Sequence, residues 1–298
     1  MRQKLLTVLI SGSVMLAPTT PSYASKGGVE QVGNKFVVGI TYLNDGVSSV
    51  CSGVLIAQNI IATARHCVIN KNGVYGTNYV FSAPGVRLEE PIDVTQVPTK
   101  INRFIIPQQT PTAGIDTRVD LAFIVTDTPF SKGTPISVAT PEDLLQLNKQ
   151  SPLAAYGYGA VYETNDLYSS LPRKFALSWA GNVPAEGSKS IYEIVDDNNV
   201  ACQGDSGGPI TFKQENGKEV LLGVISSAAE VFIECGTKLE DNKYRTRFTA
   251  VAPHLNQIPK ELIFVAPKIK KITCIKGAKK KIIKGVNPKC PKGYKLKK

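Results

Sequence analysis

Residues 202–209 read Cys202-Gln203-Gly204-Asp205-Ser206-Gly207-Gly208-Pro209, a run that surrounds one serine with glycines and sets an acid beside it. Glycine takes up turns that side chains forbid, so such a loop can present a hydroxyl without obstruction. Acyl transfer through a serine needs that hydroxyl, and it needs backbone N–H groups aimed at the oxygen on which charge develops. Gly204 and Ser206 would supply those donors. A hydroxyl attacks poorly until a base takes its proton, and near neutral pH the usual base is histidine. The chain has two. His66 stands at the end of Ile60-Ile61-Ala62-Thr63-Ala64-Arg65-His66-Cys67, where a disulfide to Cys51 would fix its position. His254 follows Pro253 in what reads as a surface segment and is taken as structural. The base in turn needs an acid to hold its tautomer, and Asp120, just ahead of Leu121-Ala122-Phe123-Ile124-Val125, is well placed for it. The plainer reading is an aspartate at the edge of a buried strand.

Around these residues the chain is built of short apolar runs: Phe36-Val37-Val38-Gly39-Ile40, Gly53-Val54-Leu55-Ile56, Leu121-Ala122-Phe123-Ile124-Val125 and Leu221-Leu222-Gly223-Val224-Ile225. Glycine, proline and Asn/Asp turns separate them, which is the pattern of an all-β barrel or sandwich. No long amphipathic helix is evident before residue 250. With 298 residues and 42% hydrophobic content the chain can bury one large core or two smaller ones.

The segments TARHC (63–67), VDLAFIV (119–125) and CQGDSGGP (202–209) resemble the TAAHC, DIALL and GDSGGP motifs of the chymotrypsin–trypsin serine proteases, and they occur in that family's order. The likeness runs from about Gly27 to Ile258 and includes Tyr156-Gly157-Tyr158-Gly159, similar to the family's Gly-Trp-Gly strand. It implies two antiparallel six-stranded β-barrels with a short C-terminal helix, an active site in the cleft between the barrels, and hydrolysis of peptides without a metal or organic cofactor. By the same resemblance His66 is general base and acid, Asp120 orients it, Ser206 attacks, and Ser226 supports Asp120. The Gly204 and Ser206 amides form the oxyanion hole. Asp205 would pair with a buried N-terminus, and Ser25-Lys26-Gly27-Gly28 occupies that register.

The floor of the primary specificity pocket corresponds to Val200, so the aspartate that selects Lys or Arg is absent. Small or apolar side chains are expected before the scissile bond. Ser226-Ser227-Ala228 would form the pocket wall, and aligning Arg245-Thr246-Arg247-Phe248 with the family puts Lys243 at a pocket position that would favour acidic side chains; the plainer reading is a solvated loop lysine after Asn242. A noncatalytic, protease-shaped adhesion protein is the rival reading, and an esterase would share the chemistry.

Both ends of the chain read as separate units. MRQK, the apolar residues 5–17 and Ser22-Tyr23-Ala24 form a secretory signal peptide cleaved after Ala24, too short to span a bilayer. Export places the protease body, residues 25–265 with barrels at about 25–137 and 150–250, outside the cell as a monomer. Export also places six cysteines in an oxidising compartment. They allow fifteen pairings, and they group locally as Cys51 with Cys67, Cys202 with Cys235 and Cys274 with Cys290. A zinc site would need a tighter Cys/His cluster than two histidines provide.

Thirteen of the lysines lie in residues 266–298, which contain no acid, and this leaves the rest of a chain of net charge +11 nearly neutral. That tail is expected to form a small disulfide-closed hairpin similar to lysine-rich modules of exported bacterial proteins. Its candidate partners are anionic cell-surface polymers, lipopolysaccharide, acidic membrane lipids or nucleic acid, with no specific nucleic acid indicated. A merely solubilising tail is the alternative.

Overall fold

A computed structural model of the chain describes residues 28–88, 100–107, 119–147, 151–160, 168–178, 191–228, 238, 241–264, 270–277, 279–285 and 288–297. The signal-peptide reading, the Ser25-Lys26-Gly27 segment and Cys235 lie outside them. Among the described residues no helix is long and apolar enough to cross a membrane.

The first sheet contains β2 (Val37–Asn44), β3 (Val47–Ala57), β4 (Ile60–Thr63), β5 (Thr77–Phe81), β6 (Ile101–Ile105) and β7 (Ala122–Thr126), in the order β5-β2-β3-β4-β7-β6; β1 (Val29–Glu30) belongs elsewhere. Asp45 and Gly46, both with positive φ, make the two-residue turn of the β2–β3 hairpin, the geometry that matches strand twist. The sheet curls until its edges meet, Tyr79 of β5 against Phe104 of β6 with ring centroids 5.4 Å apart.

The second sheet runs β1-β10-β9-β12-β13-β14-β11, built from β9 (Pro152–Gly157), β10 (Arg173–Ser178), β11 (Ile191–Asp196), β12 (Pro209–Lys213), β13 (Glu219–Ala228) and β14 (Tyr244–Ala250). Two-residue strands, β1 at one edge and β8 (Ser137–Val138) parallel to β13, extend the expected six to eight. The Ser178 amide of β10 donates to the Asp196 carboxylate of β11 at 2.9 Å and so draws the curl together.

The run at 121–125 is apolar throughout, where a sheet with one wet face would alternate. The cause is two cores, one on each side of the strand. Ala122 and Ile124 pack inside the first sheet with Val38, Ile40, Leu55 and Ile61. Leu121, Phe123 and Val125 face a second core between the sheets with Ile60, Leu221, Val224 and Val251. Phe175, Leu177, Ile194, Phe212, Leu222 and Phe248 fill the second sheet.

Helix is scarce. A six-residue α1 (Pro141–Gln146), not anticipated from the sequence, starts at a reciprocal cap in which Thr140 Oγ1 accepts the Asp143 amide and the Asp143 carboxylate accepts the Thr140 amide. The short C-terminal helix takes the tighter 3-10 form, at Ala252–Gln257 and Lys260–Leu262. His254 lies within it, 7% exposed, so it is not on the surface as its sequence context suggests; burial lowers its pKa.

Beyond residue 269 the tail forms its own sheet. The expected hairpin is present as β15 (Lys270–Lys276) and β16 (Lys279–Gly285), and β17 (Lys295–Leu296) pairs with the other side of β15. Cys274 and Cys290 are bonded to each other.

Candidate active site

Strand β4 delivers His66. After Thr63 the chain turns through a 3-10 segment, Arg65–Cys67, whose last residue is tied to Cys51 of β3 by a disulfide. Asp120 precedes the antiparallel neighbour β7, and because Thr63 pairs with Ala122 both residues emerge at one end of the two strands. The Asp120 carboxylate receives three donors there. Oδ1 accepts the His66 backbone amide at 3.0 Å, and Oδ2 accepts His66 Nδ1 at 2.8 Å and Ser226 Oγ at 2.7 Å. An Nδ1–H pointing at the carboxylate leaves Nε2 as the basic nitrogen.

Desolvation opposes charge on the His66 ring, but the Asp120 carboxylate and its hydrogen bond outweigh it and hold the pKa above 6.5. Burial likewise opposes charge on Asp120. The imidazolium charge, with hydrogen bonds from His66 and Ser226, overcomes that and holds the carboxyl below its ordinary range.

The loop at 202–209 reaches this point from the second sheet. The Ser206 carbonyl accepts the Ser52 amide at 2.8 Å and lies 3.6 Å from Cys67 Sγ, the residue after His66. The Gly207 amide donates to the Ile225 carbonyl at 2.7 Å, next to the Ser226 that holds Asp120. Close approach explains the glycines: a Cβ on Gly207, at φ +82°, would sit 2.0 Å from Thr63 Oγ1, and one on Gly208 2.0 Å from the Tyr156 carbonyl.

The amides at 205, 207 and 208 donate to backbone carbonyls. Among the described residues those of Gly204 and Ser206 meet no acceptor. Asp205 is fully buried, and its carboxylate accepts the Gly159 and Cys202 amides at 2.8 Å each. Side chains on Gly157 or Gly159 would collide with it, which accounts for Gly157-Tyr158-Gly159. Ser25 to Gly27, the expected source of its amino-terminal partner, lie outside the described residues.

One positioning residue escaped the sequence reading. Ser52, fully buried in β3, donates through Oγ to the Gly204 carbonyl at 2.8 Å and accepts the Tyr158 amide at 2.9 Å. It thereby joins the first sheet to both the loop and the residue that follows β9. Its only sequence signal was its place between Cys51 and Gly53.

The residues that the resemblance assigns to the pocket have these surroundings. Val200 is 4% exposed and packs with Cys202, Tyr244 and Ala160, while Ser227 and Ala228 pair along β13 with Arg247 and Thr246 of β14. Lys243 has a partner of its own, its Nζ 2.9 Å from Asp197 Oδ1. Cys202 is disulfide-bonded. Cys51, His66 and Cys67 bring potential ligand atoms within 4.8 Å of one another, but both sulfurs are consumed by the Cys51–Cys67 disulfide, so no thiolate is on offer.

Residues 26–253 match the profile of the trypsin family, and the chain belongs to that family. It is similar to bovine (Bos taurus) chymotrypsin-C, with 25% identity over 76% of this chain and 83% of the relative. The rat (Rattus norvegicus) chymotrypsin-C is also 25% identical, over 67% of this chain and 76% of its own length. The protein is therefore a serine endopeptidase acting on protein or peptide substrates.

Proposed function

We propose that this endopeptidase is exported, works through a His66–Asp120–Ser206 triad, and cleaves after small or apolar residues. Ser206 Oγ attacks the scissile carbonyl while His66 Nε2 takes its proton, and the same imidazolium then protonates the departing amine. The acyl-enzyme on Ser206 is released when His66 activates a water in the reverse sense. Asp120 keeps the ring in the Nδ1–H tautomer. The Gly204 and Ser206 amides receive the oxyanion, and the observation that carries the reading is that these two, alone within the loop's 204–208 stretch, point at no acceptor among the described residues.

The apolar preference rests on Val200 packed against Tyr244, and on Lys243 being engaged by Asp197 and so less available to an acidic substrate side chain. The working arrangement is a signal peptide at 1–24, a catalytic body at 25–265, and a basic attachment module at 266–298 that holds the enzyme to anionic surfaces outside the cell.

A serine-directed fluorophosphonate probe should label the purified chain and fail on Ser206→Ala. Labelling that fails on both would point to the adhesion-protein reading, and labelling that survives the substitution would place the nucleophile at another residue. Peptides differing only in Ala, Leu, Glu or Arg before the scissile bond should rank with Ala or Leu first; a strong preference for Arg would reject the pocket assignment.

A further inference from the structure

The three strands of the tail give its lysines an arrangement that composition does not reveal. Side chains alternate across a strand, so each residue's face follows from its register. One face carries the fully buried Cys274 with its disulfide to Cys290, Lys281, whose ammonium lies 5.3 Å from the Tyr294 ring centroid, and Leu296, which is 56% exposed. The other face, which the disulfide does not cross, is the open one. Lys271 stands opposite Lys284, Thr273 opposite Ile282, and Ile275 between Lys280 and Lys295. The Lys297 amide donates to the Thr273 carbonyl at 2.8 Å, which continues the β17 register and adds Lys297 to this face.

Five exposed lysines thus ring a short apolar strip in which Ile282 is 57% exposed. Lysines directly opposite one another repel, and residues 266–298 hold no acid to offset them. Such a face favours an external anion. A soluble polyanion would call for charge alone, whereas the exposed isoleucine amid lysines suits a surface offering both anionic headgroups and hydrocarbon, with the lysine stems lying along the apolar strip.

The body holds the last described residues ahead of this module. Asn59, at the end of β4 remote from His66, donates through Nδ2 to the Leu262 carbonyl at 2.7 Å and accepts the Phe264 amide at 2.8 Å through Oδ1. Phe264 is therefore held at the end of β4 opposite His66.

We propose that the open face of this sheet docks onto anionic phospholipid bilayers and leaves the catalytic cleft free. This rests on the reading of the tail as an attachment module, and specifies its partner and its contact residues. The test uses the full chain, with sedimentation on mixed phosphatidylcholine/phosphatidylglycerol vesicles, on pure phosphatidylcholine vesicles, and competition by soluble polyphosphate. Two triple variants of equal net charge are compared: Lys271→Gln/Lys280→Gln/Lys284→Gln on the open face, and Lys276→Gln/Lys279→Gln/Lys292→Gln off it. Unchanged peptide hydrolysis and thermal midpoint certify the fold of the body, and an intact Cys274–Cys290 bond certifies the tail.

The open-face variant should lose at least about tenfold in partition onto anionic vesicles, and the other triple much less. Ile282→Gln should lower vesicle partition severalfold while leaving polyphosphate binding as it was. Equal losses in the two triples would overturn the face assignment yet leave the attachment reading standing. Vesicle binding indifferent to Ile282→Gln would overturn the bilayer in favour of a soluble polyanion. No adsorption by the unaltered chain would remove the attachment reading itself.

Discussion

Two disulfides in this chain close spans of equal length, Cys51–Cys67 and Cys274–Cys290, each with a sequence separation of 16, yet they do different work. Around the first, Val38, Ile40, Tyr42, Leu55, Ile61 and Ile124 are buried in one core, so the crosslink is one constraint among many. In the tail sheet Cys274 is the one fully buried residue among those described, and Ile272, Ile275 and Ile283 remain half-buried. Chain entropy assigns both links about the same value, roughly 3 kcal/mol. The difference is what else holds each region: packing in one case, little besides the link in the other. The first disulfide therefore serves position, and the second serves existence.

The largest effect should come from the positioned side, without unfolding anything. Asp120→Asn keeps the shape but favours the wrong His66 tautomer, and kcat should fall by on the order of 10⁴-fold with the thermal midpoint little changed. A loss below tenfold would mean that the Asp120–His66 contact is incidental.

Next come the links themselves. Cys274→Ser/Cys290→Ser should abolish tail structure, seen as rapid proteolysis after residue 264, while hydrolysis of a small peptide persists. Cys51→Ser/Cys67→Ser should leave a folded body with kcat/KM reduced about 10- to 100-fold, because the turn bearing His66 loses its tether. The reverse pattern would invert the comparison. Ser52→Ala, which leaves the Tyr158 amide buried without its acceptor, should cost about 1–3 kcal/mol by denaturant titration and lower kcat more than it raises KM.

The smallest effects lie in pH. In the proposed triad the base is neutral His66, so kcat/KM should fall on acidification through an apparent pKa above the usual 6.5. The stability signs are opposite for the two partners. The raised His66 pKa contributes stability that is present below 6.5 and lost as pH rises through its folded value; the lowered Asp120 pKa contributes stability present above 3.8 and lost as pH falls through its folded value. Ser226→Ala removes one donor to Asp120 and should let its carboxyl titrate closer to 3.8, with kcat/KM down a few-fold. An acid limb unmoved by Asp120→Asn would show that another group governs it.

Much of the site was legible because its chemistry demands particular residue types in short segments. The glycines at 204, 207 and 208 mark places where backbone must come within contact of Thr63, Tyr156 and Gly159, and no other residue allows that. Ser52 was not legible, since its place between a cysteine and a glycine does not reveal its two hydrogen bonds, which reach residues more than a hundred positions away. Lys243 illustrates the same limit: its place in the chain left a pocket cation and a solvated loop lysine both open, and its pairing with Asp197 depends on how two loops meet.

The amino-acid sequence alone determined the fold class, the basic tail, and the three segments that carry histidine, aspartate and serine, because turn chemistry, charge and motif order are written locally. Only the tertiary structure decided that Asp120 takes three donors, that the Gly204 and Ser206 amides meet no acceptor among the described residues, and that lysines and isoleucine share one open face of the tail. Those facts depend on strand register and on side chains meeting across the fold, and contacts between distant segments are set by how the whole chain packs.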